Sequence, residues 1–345
     1  METKVLKVEK LPSAAIAEAA AVIKRGGLVA FPTETVYGLG GNGLDAAASA
    51  GIYRAKGRPS DNPLILHISD MAMLQQIAAE VTDTAKKIMA AFCPGPITMI
   101  LKRQAVVPAE ITGGLDTVGI RQPDNDIARA LIRQAGVPIA APSANISGRP
   151  SPTTAQAVSR DLDGKIDLIL DGGPCLFGVE STIVDCTSEV PTVLRPGAIT
   201  MEMLRAVLGE VRLDPALVGA AAVPKAPGMK YTHYAPKVPL TLVEGPAEHM
   251  AGAFSREIKR LEAAGHTVGL IVSREVAAAL QHKPVAIYGS QGDLEAAAAN
   301  LYEALRSFDD KAVDVLLAEG MAESGIGLAV MNRLHKASGF RTILA

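Results

Sequence analysis

Gly26–His67 reads GGLVAFPTETVYGLGGNGLDAAASAGIYRAKGRPSDNPLILH, and the order of its parts decides the fold. An apolar strand, LVAF, runs into a polar loop rich in glycine. A short alanine-rich helix follows, then a basic turn and a second apolar strand. Strand, helix, strand is the alternation of an α/β protein. Phe31 and Pro32 end the first strand, and Thr33, Glu34, Thr35 and Tyr37 supply a dense set of hydroxyls and one carboxylate. Loops held between rigid strands commonly carry chemistry. Lys56 and Arg58 flank Gly57 just before Pro59, where a helix must stop and a turn begin. Two cations there suit an anion, although the spacing is met equally well by charges that only solvate a helix end.

Upstream, KVLKV predicts an edge strand, and Ser13 caps a helix that ends at Gly26 and Gly27. Downstream, Asp70 and then Thr82 or Asp83 open two successive helices, the second stopped by CPGP at Cys93–Pro96. ITMILKR and TVGIRQP follow as strands with no helix between them, so part of the sheet is expected to be antiparallel. Helix DIARALIRQAG leads to strand VPIAA and a structured loop, PSANISGRPSP. Thr153 or Thr154 caps another helix, IDLIL is a strand, and STIVDCT with TVLRPG forms a hairpin. Thr200 opens helix MEMLRAVLG, which closes a first domain over residues 1–207.

Periodicity fades over 208–238, where prolines and glycine surround Lys230, Tyr231, His233 and Tyr234. That segment reads as a linker able to fold over a site as a lid. Residues 239–345 alternate four strands with helices, which predicts a smaller Rossmann-like unit of parallel strands. No Gly-x-Gly-x-x-Gly follows its first strand, so no dinucleotide is assigned to it.

Composition excludes several classes. A chain of 345 residues exceeds what one core usually serves, and 48% hydrophobic residues can fill two. Its apolar runs are strand-sized, far short of the roughly 20 residues of a membrane span. The charged segment METKVLKVEK lacks the apolar core of a signal peptide, so a cytoplasmic location is expected. Three cysteines without metal-ligand spacing fit a reducing compartment. A net charge of −2, no tryptophan and 3% aromatic residues argue against an extended nucleic-acid surface and favour small ligands.

Lys56 and Arg58 together with Ser143 and Asn145 offer two cations and two neutral hydrogen-bonding groups, a set suited to a polyphosphate. No Walker loop is present. Arg121 and Arg195 stand at strand ends before prolines, where ligands of α/β sheets gather, and a strand-end arginine also serves as an ion-pair partner. His67 alternates toward either a cleft or a neighbouring helix. Glu180, Ser181 and Thr182 follow a glycine-bearing turn and can bind a polar ligand. No serine carries a histidine base in a recognisable motif, which leaves positioning and charge neutralisation as the means of catalysis.

FPTETVYGLG, KGRPSDNPL, PSANISGRPS, GVESTIVD, VLRPGAI, PGMKYTHYAPK and the terminal GLAVMNRLHKAS together resemble the Sua5/YrdC/YciO family over nearly the whole chain. The resemblance implies a YrdC-like mixed sheet with a concave cleft and a Rossmann-like C-terminal Sua5 domain. It implies a threonylcarbamoyl-AMP synthase that joins L-threonine, bicarbonate and ATP and releases pyrophosphate. The product would pass to a tRNA threonylcarbamoyl transferase for N6-threonylcarbamoyladenosine at tRNA position 37. Carried over by motif, the ATP contacts are Lys56, Arg58, Asn62, Thr117, Ser143, Asn145, Ser151, Arg195 and Tyr234, with Lys56 and Arg58 catalytic. The L-threonine contacts are Thr35, His67, Arg121, Ala141 and Ser181. Mg²⁺ is expected to travel with ATP, with no dedicated protein cage. Two alternatives share this fold, a carbamoyl-adenylating enzyme and a double-stranded-RNA-binding module, and weak RNA binding is compatible with the main reading.

Overall fold

The computed structural model describes residues 2–218 and 233–345, and the chain divides into two compact units. The first unit contains β1 (Lys4–Lys7), β2 (Val29–Phe31), β3 (Gly38–Asn42), β4 (Ile65–His67), β5 (Ile97–Lys102), β6 (Thr117–Arg121), β7 (Ile139–Ala140), β8 (Leu168–Asp171), β9 (Thr182–Asp185), β10 (Thr192–Arg195) and β11 (Arg212–Leu213). These form one sheet in the order β1-β8-β2-β3-β7-β4-β6-β5-β9-β10-β11. It is mixed: β4 and β6 are parallel, while β5 and β6, and β9 and β10, are antiparallel. β5 is buried from Ile97 to Leu101 and β9 along its whole length, as expected of strands covered on both faces.

The predicted capping residues open their helices. Side chains of Ser13, Asp70, Thr82, Thr154 and Thr200 each accept a backbone N–H from the first turn. The helix Ala46–Lys56 stops at Gly57, whose φ of 61° lies in the left-handed region that glycine enters without penalty. That stop delivers Lys56 and Arg58 to the turn.

Four features differ from the sequence reading. GLGGN is strand β3 rather than part of a loop, because a Cβ on Gly40 would stand 2.7 Å from Ile139 Cγ2 and 2.8 Å from Phe31 Cε1. Only a glycine strand lets β7 and the Phe31 ring come so near. A short helix, Ala109–Thr112, interrupts the path from β5 to β6. The first unit does not close at residue 207: β11 pairs in parallel with β10, and a 3₁₀ turn, Pro215–Val218, follows. Of the expected lid, residues 219–232 lie outside the described residues.

The second unit holds β12 (Leu240–Glu244), β13 (Val268–Val272), β14 (Val285–Ile287), β15 (Val315–Glu319) and β16 (Thr342–Leu344), all parallel, in the order β14-β13-β15-β12-β16. β16 is the fourth difference, an edge strand of three residues, Thr342–Leu344, too short to show a strand period. Phe254, Leu270, Val272 and Leu317 lie in the core of this unit. Two excursions of the chain, Gly148–Pro150 and Phe177–Val179, belong to the second unit as well. Within it Arg306 Nη2 donates to Pro150 O at 2.5 Å, and Arg149 pairs with Asp309.

Candidate active site

Strand register puts several of the expected residues on one face. His67 of β4 stands opposite Arg121 of β6. On the other side of β6, Met99 stands opposite Ile120, which sets Thr98 across from Arg121. Thr98 in turn pairs with Ile183 of β9, and Ile183 with Arg195 of β10. Paired residues project from the same face of a sheet, so His67, Arg121, Thr98 and Arg195 point the same way. Side-chain contacts agree with the register. Arg195 Nε donates to Ser181 O at 3.1 Å and its Nη2 to Ser181 Oγ at 3.2 Å, while Ser181 Oγ and Thr98 Oγ1 are 2.8 Å apart. Ser151 Oγ donates to Glu180 Oε1 at 2.5 Å beside them. Ala141 continues β7 and donates its N–H to Ile65 O at 2.9 Å.

The loop after β2 folds around its own threonines. Thr33 Oγ1 accepts the N–H groups of Thr35 and Val36 and lies 2.9 Å from Thr35 Oγ1, so much of the PTET turn is held by its own side chain, while Glu34 O accepts the Leu176 N–H at 3.1 Å. Arg121, 4% exposed, brings Nη2 to 2.8 Å from Glu34 Oε2 and 3.5 Å from Thr33 Oγ1. The Glu34 approach is close enough for an ion pair but off-line for a hydrogen bond. Both Glu34 oxygens and Arg121 Nε therefore lack a hydrogen-bond partner although they are buried. Buried polar groups in that condition are costly, and their place in a native fold calls for an explanation.

His67 lies in the same layer, its ring edge-on to Phe31 at 6.0 Å and its Nδ1 3.3 Å from Ile65 O. Burial, helped by the nearby Arg121 guanidinium, pushes its pKa down to about 3 from 6.5. The imidazole is neutral at working pH and acts as a hydrogen-bonding group rather than a charge. The unfolded chain binds this proton below pH 6.5 and the folded protein only near 3. The stability contribution is therefore complete above pH 6.5 and is withdrawn as pH falls toward 3. Urea midpoints at pH 7 and pH 5 should drop further for the wild type than for His67→Gln; equal drops would contradict the burial of a neutral ring.

The basic turn meets the PSAN loop. Lys56, only 2% exposed, donates from Nζ to Ser143 O and Asn145 O, each at 2.5 Å, and its own carbonyl accepts from Ser147 N–H. Ser143 Oγ donates to Asn145 Oδ1 at 2.5 Å. Arg58 donates from Nε to Asn62 O at 3.3 Å and from Nη2 to Pro63 O at 3.1 Å, and Tyr53 Oη reaches Asn62 O as well. These contacts rule out the bland alternative for Lys56, whose ammonium is built into the interior of the loop instead of solvating a helix end.

Thr117 stands at the start of β6, four residues before Arg121 and at the other end of the strand, on the side of the turn that carries Asn62. Tyr234 belongs to the second unit, where it stacks on Tyr302 at 5.5 Å with the Arg333 guanidinium 5.8 Å from its ring. Thr98 joins the site without having been singled out from sequence, whereas Glu180 was noted as able to bind a polar ligand and Glu34 was noted without a role. A polar residue inside the apolar run ITMIL was the available signal for Thr98. Among the described residues no group of three His, Cys, Asp or Glu side chains gathers to hold a metal, and no helix is long and apolar enough to cross a membrane.

Comparison with known proteins follows the same division. The Sua5/YciO/YrdC profile, described as telomere recombination, matches residues 21–197. A second profile, described as threonylcarbamoyl-AMP synthase, C-terminal domain, matches residues 199–339. The chain is 49% identical to a threonylcarbamoyl-AMP synthase of Bacillus subtilis over 95% of its own length and 94% of that protein. It is 48% identical to one of Pyrococcus abyssi over 97% of each. A crystal structure of Pyrococcus abyssi Sua5 complexed with L-threonine superposes with a TM-score of 0.94 at 47% identity, covering 99% of this chain and all of that one.

Proposed function

The chain belongs to the Sua5/YrdC/YciO family and carries its Sua5 C-terminal domain, and from that premise we infer that it is a threonylcarbamoyl-AMP synthase. It uses ATP and L-threonine, with bicarbonate as the third substrate and pyrophosphate as the leaving group. The observation that carries this reading is Arg121, a buried guanidinium with an unmatched Nε, set beside a neutral histidine and the Thr35 hydroxyl. An amino-acid carboxylate is the natural partner of such a planar donor. His67 and Thr35 then supply polar contacts for the threonine hydroxyl, with Ser181 and the backbone of Ala141 completing the pocket.

In this mechanism the carboxylate of threonine binds Arg121, and the amine combines with bicarbonate to give a carbamate. An oxygen of the carbamate attacks the α-phosphorus of ATP, and pyrophosphate departs. Lys56 and Arg58 offset charge as it develops on the phosphates. Ser143, Asn145, Ser151, Asn62, Thr117 and Arg195 hold the nucleotide, and Tyr234 is assigned to it through the family motif alone. Mg²⁺ would enter on the polyphosphate and ease charge there, since no carboxylate cage is found among the described residues. The product, a labile acyl-adenylate, goes to a tRNA threonylcarbamoyl transferase in the cytoplasm.

Pyrophosphate release from ATP should require threonine and bicarbonate together. Serine, which lacks one methyl, should be the best substitute at a disadvantage of about 10- to 200-fold. Release that proceeds equally well with glycine, or with carbamoyl phosphate in place of threonine and bicarbonate, would overturn the assignment.

A further inference from the structure

Glu34 is the charged side chain of the 31–37 loop for which the mechanism above has no use. Its side chain is 4% exposed and neither carboxylate oxygen has a hydrogen-bond partner. A carboxylate withdrawn from water to this degree is heavily penalised unless hydrogen bonds or an opposite charge replace its hydration. One opposite charge is present, since Arg121 Nη2 lies 2.8 Å from Oε2. The arginine is incomplete in the same manner, with Nε buried and unmatched. Cys93 also senses both groups, but burial pushes its thiol up to about 11, so it stays neutral and offers neither a charge.

A positive and a negative group standing side by side, each short of hydrogen bonds, form the complement of a zwitterion. An α-amino acid whose carboxylate meets Arg121 carries its ammonium two bonds from the carboxylate carbon, and Glu34, 2.8 Å from the guanidinium, is the carboxylate near enough to meet it. We propose that Glu34 is a catalytic residue that binds the ammonium of the amino-acid substrate and takes up the proton this nitrogen sheds when the carbamate forms. The proposal rests on the function inferred above.

The balance of the step is simple. Threonine enters as R–NH₃⁺ and bicarbonate as HCO₃⁻, and the products are R–NH–COO⁻, one water and one proton. The N–C bond forms, a C–O bond of bicarbonate breaks with its oxygen leaving as water, and the net proton passes to the Glu34 carboxylate. A charged hydrogen-bond acceptor already in place spares the site a bulk-water base, which a buried pocket cannot admit freely. The rival account is that Glu34 only braces Arg121.

Binding of two ligands separates the accounts. L-threonine carries the ammonium, and 3-hydroxybutanoate has the same carboxylate and hydroxyl without it. By calorimetry, with the second ligand measured in competition, Glu34→Gln should weaken threonine roughly 10- to 100-fold while leaving 3-hydroxybutanoate within about twofold of wild type. Glu34→Asp, which keeps the charge, should retain most of the preference for threonine, and thermal melting of both variants checks that they fold. Equal weakening of both ligands by Glu34→Gln means bracing alone and overturns the proposal, as does threonine binding at wild-type strength. Wild-type protein that binds no threonine would instead overturn the inferred function, an outcome distinct from either of these.

Discussion

Lys56→Ala should lose roughly a hundredfold or more in pyrophosphate release while keeping its secondary structure. The expectation comes from where the ammonium sits. Lys56 Nζ reaches Ser143 O and Asn145 O at 2.5 Å each, from the last turn of a helix that Gly57 terminates. Removing it deletes a positive charge that should matter most as charge builds on the phosphates, which lowers kcat rather than only raising KM. It also leaves two carbonyls of the PSAN loop without this donor, at about 1–3 kcal/mol each where they are buried. Lys56→Arg should not restore activity, because a planar fork cannot replace a point charge between two carbonyls in so tight a space. Circular dichroism and stopped-time pyrophosphate assays check both points. A well-folded Lys56→Ala protein turning over at the wild-type rate would return Lys56 to the role of an ordinary structural lysine.

Arg121→Leu should have two effects that can be pulled apart. Threonine-dependent turnover should fall by a factor on the order of 10² to 10³, since a charge-assisted bidentate contact to the substrate carboxylate is lost. Stability should fall too, by about 3–5 kcal/mol, because Glu34 then remains buried without its counter-charge. Adding Glu34→Gln to Arg121→Leu should restore most of the stability and none of the activity. The check is a urea titration beside a threonine titration of kcat/KM. If the double variant stays as unstable as the single one, the buried pair is not what holds the loop. If the single variant keeps its threonine KM, the carboxylate binds elsewhere.

Two short stretches of chain that neighbour site residues in sequence belong to the second unit. Gly148–Pro150 stands between Asn145 and Ser151, and Phe177–Val179 stands immediately before Glu180 and Ser181. Arg306 and Asp309 of the second unit hold the first stretch, and Ser151 and Glu180 bond each other just beyond the two. A split at residue 207 therefore captures where the sequence pattern changes and misses where the packing changes.

Local physics was legible in the chain itself. Ser13, Asp70, Thr82, Thr154 and Thr200 mark helix starts because a short polar side chain before an apolar period has one obvious use. Lys56-Gly57-Arg58-Pro59 marks a helix end for equally local reasons, and the mixed sheet followed from two strands with no long helix between them. The family, and with it the activity, was legible as well, since its motifs are contiguous runs of residues. What stayed hidden depends on residues far apart in sequence. Gly38–Asn42 looks like a loop until Phe31 and Ile139 are seen to leave no room for a Cβ at Gly40. β11 is two residues long and exists only because β10 offers it an edge. Glu34 and Arg121 each carry an ordinary charge in the sequence. Their pairing, its burial and its unmatched hydrogen bonds arise only when β6 is laid beside β4 in the register that sets His67 against Arg121 and the loop after β2 closes over both. Register is a property of the whole sheet, where one residue of slip would turn Arg121 to the opposite face, and no local pattern encodes it.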